Sequence, residues 1–140
     1  MKQVEWALGD SEPDFGSAAL PTGLYVHVPW CVKKCPYCDF NSHSVRGPID
    51  QQGFVSALLS DLDLEIARAP VTGIDSVFIG GGTPSLLDGA TIASLLEGIE
   101  ARVRLAPDCE ITLEANPGTV DAAHFRAYRA AGVNRLSIGV

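Results

Sequence analysis

No apolar run in this chain approaches the roughly 18 consecutive residues that a membrane-spanning helix needs. Basic residues are scarce as well: 10 Lys and Arg stand against 17 Asp and Glu, for a net charge of −7. Without a basic tract to neutralise phosphates, no nucleic-acid partner is expected. The first 21 residues carry acids and no apolar stretch of useful length, so nothing there reads as a secretory leader. Cysteine is limited to four residues in 140. Three of them are close neighbours, and pairing within that group leaves one over, which argues against a secreted disulfide scaffold. These absences predict a soluble, cytoplasmic protein without a transmembrane segment.

The three neighbouring cysteines are the most informative feature present. Cys31, Cys35 and Cys38 follow the spacing C-x3-C-x2-C, with Tyr37 just before the last. Three thiolates on one short loop can hold a metal centre but cannot fill four ligand positions. That pattern suits a [4Fe-4S] cluster with one iron left open to another ligand. A structural zinc is the alternative, with His27 or His43 as the fourth ligand. Structural zinc sites pair a cysteine knuckle with a second, distant ligand pair, and here Cys109 stands alone.

The pattern along the chain predicts an α/β fold of about one domain's length. Residues 1–23 read as an irregular N-terminal arm rich in turn residues. Leu24–Val28 is a short β-branched and aromatic strand stopped by Pro29, and Asn41–Asp50 reads as loop. Phe54, Leu58, Leu62 and Ile66 trace one face of a helix running to Ala69. Ile74–Ile79 is a second strand entering Gly80-Gly81-Gly82-Thr83-Pro84-Ser85. Asp88 caps a helix carrying Ile92, Leu95, Leu96, Ile99 and Val103, and Pro107 marks its exit. Glu110–Ala115 is a third strand, Thr119 caps a helix closed by Gly132, and Arg135–Val140 begins a fourth strand. Strands alternating with helices predict a parallel sheet, and both a doubly wound sheet and a (β/α) barrel fit. The chain stops inside a strand with Ile138 and Val140 at its edge, so a longer natural polypeptide is expected.

In parallel α/β folds, sites form at the C-terminal ends of strands. The cysteine loop follows the first strand, the glycine run follows the second, and Glu114 closes the third. Gly80, Gly81 and Gly82 allow a ligand to approach bare backbone, although a tight β–α turn explains them equally. Glu114 could accept hydrogen bonds from a ribose diol or simply end its strand in solvent. Tyr25 and His27 share one face of the first strand, where a hydrogen-bonded histidine is the plain expectation. His43, His124 and Cys109 read as structural.

Taken together, Leu24–His43, VFIGGGTPSL (residues 77–86), ITLEANPG (111–118) and GVNRLSIGV (132–140) resemble the oxygen-independent coproporphyrinogen III oxidase-like radical S-adenosylmethionine (SAM) family. The resemblance implies the first three and a half units of a partial (β/α)6 barrel, so that residues 24–140 form the N-terminal part of the core domain. It implies that Cys31, Cys35 and Cys38 bind the cluster, and that Tyr25, Tyr37, Gly81, Gly82, Thr83 and Glu114 contact SAM. No side chain is thereby given a catalytic role. The coproporphyrinogen dehydrogenase branch, of porphyrin and haem biosynthesis, has a further cysteine two positions after the third. Phe40 stands there in this chain, which is similar to the HemW branch of haem chaperones. Haem as cargo and haem-accepting proteins as partners follow from that similarity, with a chaperone role favoured and an oxygen-independent coproporphyrinogen III dehydrogenase as the alternative.

Overall fold

The computed structural model describes residues 21–116, 118 and 121–139. Ten elements follow one another: β1 (Gly23–Val28), β2 (Trp30–Cys31), β3 (His43–Ser44), α1 (Gln51–Arg68), β4 (Ile74–Gly81), a 3-10 turn (Pro84–Leu86), α2 (Gly89–Glu100), β5 (Leu105–Ala115), α3 (Ala122–Ala131) and β6 (Arg135–Ile138). The arm expected over residues 1–23 lies largely outside the described residues, as does Val140.

The main sheet has the order β1-β4-β5-β6, with every neighbouring pair parallel. Strands therefore pair in chain order. A doubly wound sheet reverses its order at a switch point and carries helices on both faces. Here Val26, Val28, Val77, Ile79, Ile111 and Leu113 alternate onto one face and form a single core with Val55, Leu95, Leu96, Ile99 and Tyr128 of the helices. The other face is left to Tyr25, His27, Phe78, Thr112 and Glu114. This is an arc of barrel wall, helices outside, and it resolves the choice the sequence left open. Among the described residues no helix is long and apolar enough to cross a membrane.

Helix ends follow the expected chemistry with one change. Asp88 accepts from the Thr91 N–H at 2.7 Å, and Gly132 ends α3 at φ 114°. The cap of α3 is Asp121, whose carboxylate accepts from the Ala123 and His124 N–H groups. Thr119, expected in that role, lies outside the described residues, and α3 begins only at Ala122. Val103 follows α2 rather than belonging to it, yet it stays buried. β5 starts earlier than its periodicity suggests. Ile74 pairs with Leu105 while Ser76 pairs with Glu110, so residues 106–109 bulge out of register. Pro107 lacks an N–H to offer the ladder and sits within that bulge.

Candidate functional site

A segment with three cysteines and no helix must satisfy its backbone groups locally. It does so by being pinned at both ends. Trp30 and Cys31 pair in parallel with His43 and Ser44, within the stretch expected to be loop. The His43 N–H donates to the Pro29 carbonyl at 2.7 Å, and the Val45 N–H to the Cys31 carbonyl at 2.9 Å. Between these clamps the Cys38 N–H donates to the Cys35 carbonyl at 3.1 Å, making a turn. The Lys34 ammonium reaches across the loop to the carbonyls of Phe40 and Ser42, at 3.3 and 3.1 Å. Ser42 is buried, with Oγ 3.9 Å from Cys38 Sγ.

The glycine turn lies directly against this segment. The Gly82 N–H donates to the Val28 carbonyl at 2.7 Å and the Thr83 N–H to the Trp30 carbonyl at 2.6 Å. A Cβ on Gly82 would run into the Trp30 carbonyl and come within 3.0 Å of Cys31 Sγ. Gly81 adopts φ 113°, and a Cβ there would stand 2.7 Å from His27 Nδ1. Glycine at these two positions is what permits the turn to touch the cysteine strand. Glu114, at the end of β5, accepts from the Gly81 N–H through Oε2 at 3.1 Å.

Together these pieces frame an open cleft of ≈ 320 Å³ at the strand ends. Its walls include all three cysteines and, of the six residues associated with SAM, Tyr37, Gly81, Gly82, Thr83 and Glu114. Tyr37 stands at the mouth, 88% exposed. A hydrogen bond with the Cys35 sulfur, followed by the charges of that thiol and its neighbour, raises its phenol pKa. Tyr25 is the exception and does not line the cleft. It lies on the concave floor, where its hydroxyl donates to His27 Nδ1 at 3.1 Å, while His27 Nε2–H donates to the Asn41 carbonyl at 2.8 Å. Partial burial, and then the Glu114 charge, raise the Tyr25 phenol pKa.

The donor set suits soft-metal chemistry. All the cysteines are free, and three border one cleft. Among the described residues no three Cys, His, Asp or Glu groups are already drawn into a ligand cage. Cys31 is buried while Cys35 is exposed, so the loop has space to close around a bulky cluster. Neither histidine considered for zinc faces it. Both ring nitrogens of His27 are engaged, and His43 borders a separate cleft with Trp30 and Arg46.

Sequence reasoning missed Asn116 and Ser137, which also line the cleft. Both sit at strand ends, and that position was the available signal. It missed Tyr128 too, which is fully buried and donates through its hydroxyl to the carbonyls of Leu87 (2.7 Å) and Ser85 (3.2 Å). That bond ties α3 to the turn that carries Thr83 and Pro84.

The family model of the radical SAM superfamily matches residues 25–140. The chain is 57% identical over 120 residues to the haem chaperone HemW of Escherichia coli strain K12, covering 86% of this chain and 32% of that one. It is 42% identical over 128 residues to the mouse mitochondrial radical S-adenosyl methionine domain-containing protein 1, covering 91% of this chain and 29% of that one. The chain thus spans about a third of the length of the curated relatives it matches. Among solved structures it is similar to coproporphyrinogen III oxidase (HemN) from Escherichia coli, a radical SAM enzyme. The TM-score is 0.76 at 31% identity, covering 86% of this chain and 28% of that one.

Proposed function

The chain belongs to the radical SAM superfamily, and on that premise we propose that it holds a [4Fe-4S] cluster and SAM in the strand-end cleft and acts as a haem chaperone. Its cargo would be haem, passed on to acceptor proteins. The observation that carries this reading is the meeting of Cys31, Cys35 and Cys38 with Gly81, Gly82, Thr83 and Glu114 around one cleft. The likeness to HemW chaperones and Phe40 on the cleft wall, where the dehydrogenase branch has cysteine, support the chaperone role. Cytoplasmic residence belongs to the proposal, since a reducing compartment protects such thiolates. Residues 24–140 then form the N-terminal part of the core domain.

Each residue has a task. Cys31, Cys35 and Cys38 would hold the cluster through their thiolates, three ligands where four are usual. When bound, the cluster and SAM supply one-electron cleavage of the sulfonium. Backbone groups of Gly81 and Gly82 meet the amino-acid end of SAM, which no side chain there obstructs. The Glu114 carboxylate would accept from its ribose hydroxyls, with Oε2 already oriented by the Gly81 N–H. Thr83 and Tyr37 flank the cofactor and limit water.

A second reading, a coproporphyrinogen III dehydrogenase, is favoured by the structural likeness to HemN. One experiment separates the two. The full-length protein, reconstituted anaerobically, is titrated with haem and then given coproporphyrinogen, reductant and SAM. Stoichiometric haem binding without protoporphyrinogen supports the chaperone; protoporphyrinogen formation overturns it. Zinc without labile sulfide overturns both readings.

A further inference from the structure

The sheet face turned away from the helices carries a row of residues that do not line the cleft. Strand register sets Tyr25, Phe78, Thr112 and Arg135 side by side across β1, β4, β5 and β6. At one end the Tyr25 and Phe78 rings stack, with centroids 6.2 Å apart and planes 23° apart. At the other, Arg135 Nη1 donates to Thr112 Oγ1 at 3.2 Å and to Glu110 Oε1 at 3.4 Å. The Arg135 side chain is 53% exposed.

This row lies one step below the cleft. Glu114 and Ser137, paired in register, line the cleft and stand two residues beyond Thr112 and Arg135. Two residues of strand measure about 6.6 Å. Gly80, paired with His27, stands above Phe78 without a side chain; a Cβ there would come within 2.7 Å of Phe78 Cε1. The Phe78 ring edge and the Glu114 carboxylate fill the space above Gly80, so the aromatic ring reaches toward the cleft wall, with one guanidinium beyond it.

We propose that this row is the floor of a binding site for a carboxylated tetrapyrrole, with Phe78 beneath the ring system and Arg135 holding a carboxylate. The inference rests on the function proposed above and names the residues that would seat its ligand. A flat macrocycle gains from an apolar aromatic face. A carboxylate gains from a planar fork of donors. Phe78 and Arg135 are two strands apart, about 10 Å, comparable with the reach from the centre of a tetrapyrrole to the end of a propionate arm. Glu110 competes for the same guanidinium, and its bond at 3.4 Å is long enough to yield to a better-placed carboxylate. Haem and coproporphyrinogen both carry such carboxylates, so the recognition is shared between the two functional readings.

The test uses the full-length reconstituted protein, titrated with haem, with coproporphyrin III, and with the methyl ester of each. Arg135→Gln is expected to weaken binding of the free acids about tenfold and leave the esters unchanged. Arg135→Lys should retain part of the preference, and Glu110→Gln should strengthen acid binding several-fold by freeing the guanidinium. Iron and sulfide content should stay at the unsubstituted level in all three. An acid effect confined to haem assigns the site to cargo, and one confined to coproporphyrin assigns it to an oxidation substrate. Acid binding in Arg135→Gln within twofold of the unsubstituted protein overturns the assignment alone. Failure of the unsubstituted protein to bind either tetrapyrrole overturns the assignment and the haem reading together.

Discussion

The Tyr25 hydroxyl donates to Nδ1 of His27 at 3.1 Å, which leaves the histidine's Nε2–H to be given to the Asn41 carbonyl at 2.8 Å. Two residues of β1 thereby tie the main sheet to the far end of the cysteine segment. The Asn41 carbonyl can only accept, so Nε2 is the ring nitrogen that carries the donated proton. The same ring stands where a side chain on Gly81 would have to go.

His27→Leu removes the donor and orphans the Asn41 carbonyl. The expected result is a loop less able to close around the cluster, at a stability cost of about 1 kcal/mol. Iron and labile sulfide per chain after reconstitution should fall well below the unsubstituted level. His27→Gln, which can still donate to Asn41, should recover part of the loss. Equal cluster content in all three proteins would remove the tether role.

Gly82 has no room for a methyl group because the Trp30 carbonyl and Cys31 Sγ occupy that space. Gly82→Ala should lower stability by about 1–3 kcal/mol, the usual range for overpacking. It should also reduce cluster loading, since the displaced neighbour is a ligand strand. Denaturant unfolding and iron analysis read the two effects separately.

Tyr128 carries a phenol whose pKa is pushed up to about 12, first by burial and then by the Asp88 charge. A raised folded-state value means that the contribution is present in full below the unfolded pKa near 10. It is lost as pH rises from there toward 12. Tyr128→Phe should cost about 1 kcal/mol at neutral pH and flatten the alkaline loss of stability in that window. Unfolding followed at pH 9 and 11 checks both.

Asp121 behaves in the opposite sense. The His124 backbone N–H, then the His124 ring and the Ala123 N–H, hold its carboxyl down at about 2. Its contribution is present above the ordinary aspartate range and is lost as pH falls through the interval from about 4 to 2. Asp121→Asn keeps the cap and removes the charge. It should leave the neutral-pH melting temperature nearly unchanged while making the acid transition shallower. Asp121→Ala should lower the neutral-pH melting temperature, with the difference shrinking as pH falls toward about 2.

Much of this molecule was legible because its signals are local. The apolar stripe of α2, the cap at Asp88 and the closing Gly132 act within a few residues, and the structure keeps each of them. The two-residue strands β2 and β3 were not legible, since so short a pairing leaves no periodicity. The bulge around Pro107 was hidden for a related reason: register belongs to a pair of strands, not to either one.

The sequence by itself determined the type of chemistry. Cysteine spacing, a glycine run and an acid within an apolar segment are covalent facts that hold in any conformation. Only the tertiary structure decided that five of the six residues expected to contact SAM border the cysteine cleft while Tyr25 lies on the floor beneath it. Parallel pairing in chain order brings segments distant in the sequence, such as Gly23 and Ser76, to within a strand spacing, and the alternation of side chains then assigns each residue to helix face or concave face. Periodicity can show that a strand has two faces, but only its neighbours determine what each face meets.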